Sequence, residues 1–147
     1  MDKSDTRLLF RRALLNRASF EQLVERTLAT LPAEYAERLH NLVFLVEDWA
    51  ADDVLAEVGF DDPADLLGFY SGTPLTERTF DQVFPGPDRI SLFQGAIELE
   101  ARASGLPVRQ VIRETLWHEI AHYFGFSEDE MDRIEFFWAD MNFPDSE

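Results

Sequence analysis

Two rhythms of apolar positions divide this chain into its elements. Phe20, Leu23, Val24, Leu28 and Leu31, with Thr27 among them, recur at the three- and four-residue spacing of one helical face. Ser19 followed by Gln22 reads as a capping box, so a helix is predicted from Phe20 to Thr30. Pro32 interrupts it, and Ala33 to Leu39 supplies at most another turn or two before His40. No residue near His40 offers metal-ligand spacing, so it is read as structural. Leu42 to Val46 is an unbroken β-branched and aromatic run, the pattern of a strand buried on both faces. Val54 to Val58 fits a short helix ended by Gly59. Leu66, Leu67, Phe69, Tyr70 and Leu75 lie among Gly68, Gly72 and Pro74, which describes a packed loop. Arg89 to Phe93 alternates polar and apolar residues, which predicts a half-exposed edge strand able to capture an extended peptide.

Ala96 to Ala103 is predicted helical and stopped by Ser104-Gly105, and Pro107 suits the first turn of a new helix. From there Val108, Ile112, Leu116, Ile120 and Tyr123 form one stripe that should face the core. A second stripe holds Val111, Thr115, His118, Glu119 and His122. Ser127 with Glu130 is another capping box, opening a helix that runs to about Ala139 with Met131, Ile134, Phe137 and Trp138.

The second stripe carries the candidate chemistry. Residues four apart on a helix have Cβ atoms about 5–6 Å apart, so His118 and His122 can aim ring nitrogens at one point, as a zinc site requires. Glu119 leans from the same face, placed to act as general base without being a ligand. Gly125 lets the helix end in a left-handed turn, which returns Glu128 as a candidate third ligand. Asp129, Asp132 and Glu135 are the alternatives, and Glu128 also suits a structural role in the first turn of the last helix.

Composition narrows the field. At 147 residues with 46% hydrophobic content and 13 Phe, the chain is globular and long enough to bury a core. It has no cysteine, so a zinc site must use histidine and carboxylates. Five basic and two acidic residues in the first 17 contrast with 8 basic and 27 acidic residues beyond. Residues 1–18 are therefore expected to be a basic, flexible extension and 19–147 a single domain. A net charge of −16 argues against nucleic acid as a partner, because phosphate binding needs a basic footprint. No run reaches the length of a membrane span. A hydrophobic signal segment is also missing, and a cytoplasmic location is expected. Asp61, Asp62 and Asp65 lack the spacing of a calcium loop and are read as a solvated acidic segment.

Three motifs in order, Leu67-Gly68-Phe69-Tyr70-Ser71-Gly72-Thr73-Pro74-Leu75-Thr76-Glu77-Arg78, Pro87-Asp88-Arg89-Ile90 and the His118-Glu119-Ile120-Ala121-His122 helix, resemble the small bacterial zincin-like metallopeptidases over roughly Ser19 to Ala139. The resemblance implies an α+β minimal zincin domain, a small β-sheet packed against helices that include the active-site helix. It also implies zinc held by His118, His122 and an acid at Glu128. Family members usually carry Asp at the position of Glu128, and often a further His at that of Tyr123. The expected function is zinc-dependent hydrolysis of a peptide or protein substrate, with Glu119 moving the proton. Tyr70 and Tyr123 are expected in the core, with donation to an oxyanion as the other possibility. The alternative is a non-catalytic binding module whose metal site is structural or vestigial.

Overall fold

The structure, a computed structural model, describes residues 15–39, 41–72, 87–127 and 129–133. Helix α1 (Arg17–Ala29) starts three residues earlier than its hydrophobic pattern predicts. Asn16 is its N-cap, and the Asn16 Oδ1 accepts from the Ser19 N–H at 2.8 Å. Ser19 is thus inside the helix and does not cap it, because a better cap stands upstream. Phe20, Val24 and Thr27 face inward. A single turn, α2 (Ala33–Ala36), follows Pro32, and its Tyr35 ring packs edge-on against Trp117 at 5.6 Å.

Strands β1 (Leu42–Glu47), β2 (Gly68–Ser71) and β3 (Asp88–Phe93) form one sheet in the order β1-β3-β2. The β1–β3 pair is parallel and the β2–β3 pair antiparallel. This order overturns two expectations. Strand β3 is central and not an edge, so its backbone is committed on both sides. Its alternation, with Ile90 and Leu92 fully buried and Arg89 exposed, reports which face of the sheet meets the main core, while on the opposite face Phe93 and Phe69 pack with Leu55 and Leu66 in a smaller cluster. Among the described residues strand β1 in turn is an edge, and it is half-buried on one face only. Leu42, Phe44 and Val46 pack on the core, while Val43 and Leu45 on the opposite face are 37% and 36% exposed. An uninterrupted apolar run therefore did not mean two covered faces.

Between β1 and β2 lie α3 (Asp52–Val58), ended by Gly59, and a 3-10 turn over Pro63–Asp65. That turn is capped by Asp62, whose Oδ1 accepts from the Ala64 N–H at 2.9 Å. Strand β3 runs directly into α4 (Gln94–Ser104), and α5 (Val108–Phe124) follows after Leu106-Pro107. The core forms where α5 meets the covered face of the sheet: Ile112, Leu116 and Ile120 have no exposed surface, nor do Ile90, Leu92, Ile97 and Phe20. Among the described residues no helix is long and apolar enough to cross a membrane.

Polar contacts tie the start of the described chain to this core. The Arg17 guanidinium donates to the Val46 carbonyl at 2.7 Å, to Asp48 at 2.6 Å and to Gln94 at 3.1 Å. Buried Gln94 donates onward to the Leu15 carbonyl and to Glu98, which also accepts the Leu15 N–H. Of the basic extension expected over 1–18, residues 1–14 lie outside the described residues, as do His40 and the motif segment from Thr73 to Arg78.

Strand β2 lies unusually close to α5. A Cβ added to Gly68 would stand 2.8 Å from Thr115 Cγ2 and 3.2 Å from Glu119 Cγ. A glycine in a strand often marks such an approach. Replacing Gly68 with Ala should cost about 1–3 kcal/mol of stability, the range of overpacking. Removing the opposing methyl in a Gly68→Ala/Thr115→Ser pair should recover much of it, measured by urea unfolding. Equal stability of the single variant and the wild type would contradict the close contact.

Candidate metal centre

Helix α5 presents two functional faces because its two stripes meet different surroundings. The first stripe is sealed against the core, with Tyr123 1% exposed beside Ile112, Leu116 and Ile120. The second passes beneath β2: Val111, Thr115 and Glu119 are buried, and His118 and His122 emerge into solvent. The Thr115 hydroxyl returns to the Val111 carbonyl at 2.7 Å, so its methyl is left to face Gly68.

His118, Glu119 and His122 each direct a ligand atom to one place, all within 4.8 Å of one another. The two imidazoles meet edge to face with centroids 4.7 Å apart, and their Nε2 atoms are 3.1 Å apart. Without an ion that spacing is met when one ring N–H donates to the other ring's nitrogen. It also suits a shared ion: metal–nitrogen bonds of about 2.0–2.1 Å to both atoms would subtend an angle of about 100°, close to tetrahedral. Two imidazoles with a neighbouring carboxylate are donors of the kind zinc takes in chains that lack cysteine.

Glu119 differs from the histidines in being 8% exposed. Burial between α5 and β2 pushes its carboxyl pKa up from 4.5 to about 7, against the opposing effect of the Tyr70 backbone N–H, which donates to the carboxylate. The bond from the Phe93 N–H to the Leu67 carbonyl fixes the phase of the β2–β3 ladder. Gly68 and Tyr70 then occupy non-hydrogen-bonded pairs, and their N–H and C=O groups point away from β3. The amide that meets Glu119 therefore lies on the outer side of β2, turned away from β3.

The helix ends as the sequence predicts. Gly125 takes φ 77°, and its N–H donates to the Ala121 and His122 carbonyls. Beyond it the Ser127 N–H donates to Glu130 Oε1 at 3.1 Å and the Glu130 N–H to Ser127 Oγ at 3.2 Å, the expected capping box. The Ser127 backbone N–H, helped by the Ser127 side chain, holds the exposed Glu130 carboxyl below its ordinary pKa. The backbone is helical again over 129–133, and buried Trp117 donates from Nε1 to the Met131 carbonyl at 3.3 Å. Glu128 and Glu135 lie outside the described residues, whereas Asp129 and Asp132 are exposed and stand outside the cluster.

Both tyrosines are occupied elsewhere. The Tyr123 hydroxyl donates to the Arg38 carbonyl at 3.2 Å, and that of Tyr70 to buried Asp88 at 2.6 Å. The sequence reading missed the Tyr70 amide and the tight seat of Gly68. A lone glycine inside the apolar run Leu66 to Tyr70 was the available signal. It also missed a groove of about 540 Å³ that opens from His118 and Glu119 between α4, α5 and the segment before β2.

The family model for zincin-like metallopeptidases matches residues 39–138. No curated protein matches the chain.

The raised pKa gives a signed prediction for metal-free protein. A carboxyl with a folded pKa near 7 and an unfolded one near 4.5 favours folding in its protonated form. Its contribution is complete below about pH 4.5 and is lost as pH rises through 7. In chelator, wild type should therefore lose about 2–3 kcal/mol relative to Glu119→Gln between pH 5 and pH 8. Urea unfolding of both proteins measures the difference, and parallel pH profiles would contradict the burial of the charge.

Proposed function

The chain belongs to the zincin-like metallopeptidase family, and from that membership together with the three-residue cluster on α5 we propose that it hydrolyses peptide bonds with a bound zinc ion. The observation that carries the proposal is the convergence of two histidine Nε2 atoms, 3.1 Å apart, beside a buried carboxylate. His118 and His122 are the proposed ligands. Glu128 is the proposed third, on its sequence spacing from His122. When bound, zinc supplies Lewis-acid polarisation of a carbonyl and activation of water.

The remaining steps fall to the protein. Glu119 takes the proton of the attacking water on its carboxylate and passes it to the departing amine. Burial raises the proton affinity of this carboxylate, which suits it to take up a proton during reaction. The Tyr70 N–H fixes the rotamer from which it acts. With β3 central, substrate capture is assigned to the edge of β2, the strand that borders the cluster, whose Tyr70 N–H is already given to Glu119. An extended peptide laid along that edge meets the site with its backbone already ordered.

Glu119→Gln preserves shape and removes the base. Hydrolysis of a mixed peptide pool, followed by mass spectrometry with zinc supplied, should fall at least about a hundredfold in this variant. Equal hydrolysis by wild type and variant would refute the role of Glu119. No hydrolysis by either would favour the non-catalytic binding module.

A further inference from the structure

The groove beside the cluster has a chemistry of its own. Its volume, about 540 Å³, falls within the roughly 300–1,000 Å³ of ligand pockets. Leu66 and Val111, both buried, give it an apolar floor with Leu106, and Phe60 stands beside them at 41% exposure. Glu100 of α4 and Glu114 of α5 line it from the two helices, and Asp65 adds a third carboxylate. No basic residue is among the described residues that line it. Gln110 donates to Glu114 Oε1 at 3.2 Å, which orients this carboxylate without neutralising it. His118 and Glu119 are among its lining residues, so whatever fills the groove lies against the proposed reacting centre.

We infer that this groove seats an arginine or lysine side chain of the peptide substrate, next to the bond to be cut. The inference rests on the proposed hydrolase reading for the position of that bond. The physical reason is the pairing of apolar floor with anionic walls. A long basic side chain buries its methylene stem along apolar surface and keeps its charged head among carboxylates. Phe60 adds an aromatic surface of the kind a guanidinium favours. An aliphatic side chain would draw the Glu100 and Glu114 carboxylates out of water without bringing a charge to meet them, and an acidic one would be repelled. The chain's net charge of −16 further draws basic peptides to it.

Binding tests the inference without requiring turnover. Labelled octapeptides of alanine and glycine, each with one central Arg, Leu or Glu, are titrated by fluorescence anisotropy into Glu119→Gln protein supplied with zinc. The Arg peptide should bind at least about tenfold more tightly than the Leu peptide, with the Glu peptide weakest. Adding Glu100→Gln and Glu114→Gln should abolish that preference, and Glu114→Lys should turn it towards the Glu peptide. A control pair, Glu21→Gln and Glu25→Gln on the exposed face of α1, changes net charge equally and should leave the preference intact. Equal affinities, absence of binding, or a preference lost equally in the control pair would overturn the inference. Selective binding of the Arg peptide with no cleavage of it by wild type would uphold the groove and refute only the hydrolase reading.

Discussion

A carboxylate held out of water between a helix and a strand edge is the constraint on which the rest of this structure depends. Glu119 can be 8% exposed only because β2 lies directly over α5, and β2 can lie there only because Gly68 has no side chain. Burying a carboxyl has a cost unless it gains a hydrogen bond or is neutralised. Here the Tyr70 N–H supplies one bond, and it is available because the ladder phase turns that amide away from β3. Tyr70 is itself tethered at its far end, where its hydroxyl donates to buried Asp88 at the start of β3. Strand, sheet and helix thus fix one side chain from three directions.

The same helix separates stability from chemistry by angle alone. Its inner stripe packs with Ile90, Leu92 and Phe20 in a core without exposed surface, which makes α5 a rigid support. The exposed positions of the second stripe, His118 and His122, are free of core packing. His118 and His122 stand in solvent at that outer end, and the turn at Gly125 is pinned by the capping box and by Trp117 to Met131. The groove continues the outer stripe towards the start of α5, so histidine pair, buried acid and acidic groove lie along one line.

Local patterns in the sequence carried over well, and patterns that depend on distant partners did not. The two stripes of α5, its stop at Gly125 and the Ser127–Glu130 box are set within a few turns of chain, where spacing dictates geometry. The convergence of His118, Glu119 and His122 follows from the same spacing. Strand placement failed because alternation along Arg89 to Phe93 reports which face is covered, whereas edge or centre depends on which strands pair. The cap of α1 was misplaced for a smaller reason: Asn16 precedes the hydrophobic pattern that located the helix. The Tyr70 amide bond joins residues 49 positions apart and has no local signature beyond Gly68.

His118 and His122 are proposed to form a metal clamp. Elemental mass spectrometry of purified protein, after exposure to zinc and removal of excess by gel filtration, tests it most directly. About one zinc per chain in the wild type, lost in His118→Ala and His122→Ala proteins that remain folded, is the predicted result. A wild type that retains no zinc, or histidine variants that retain as much as it does, would contradict the account.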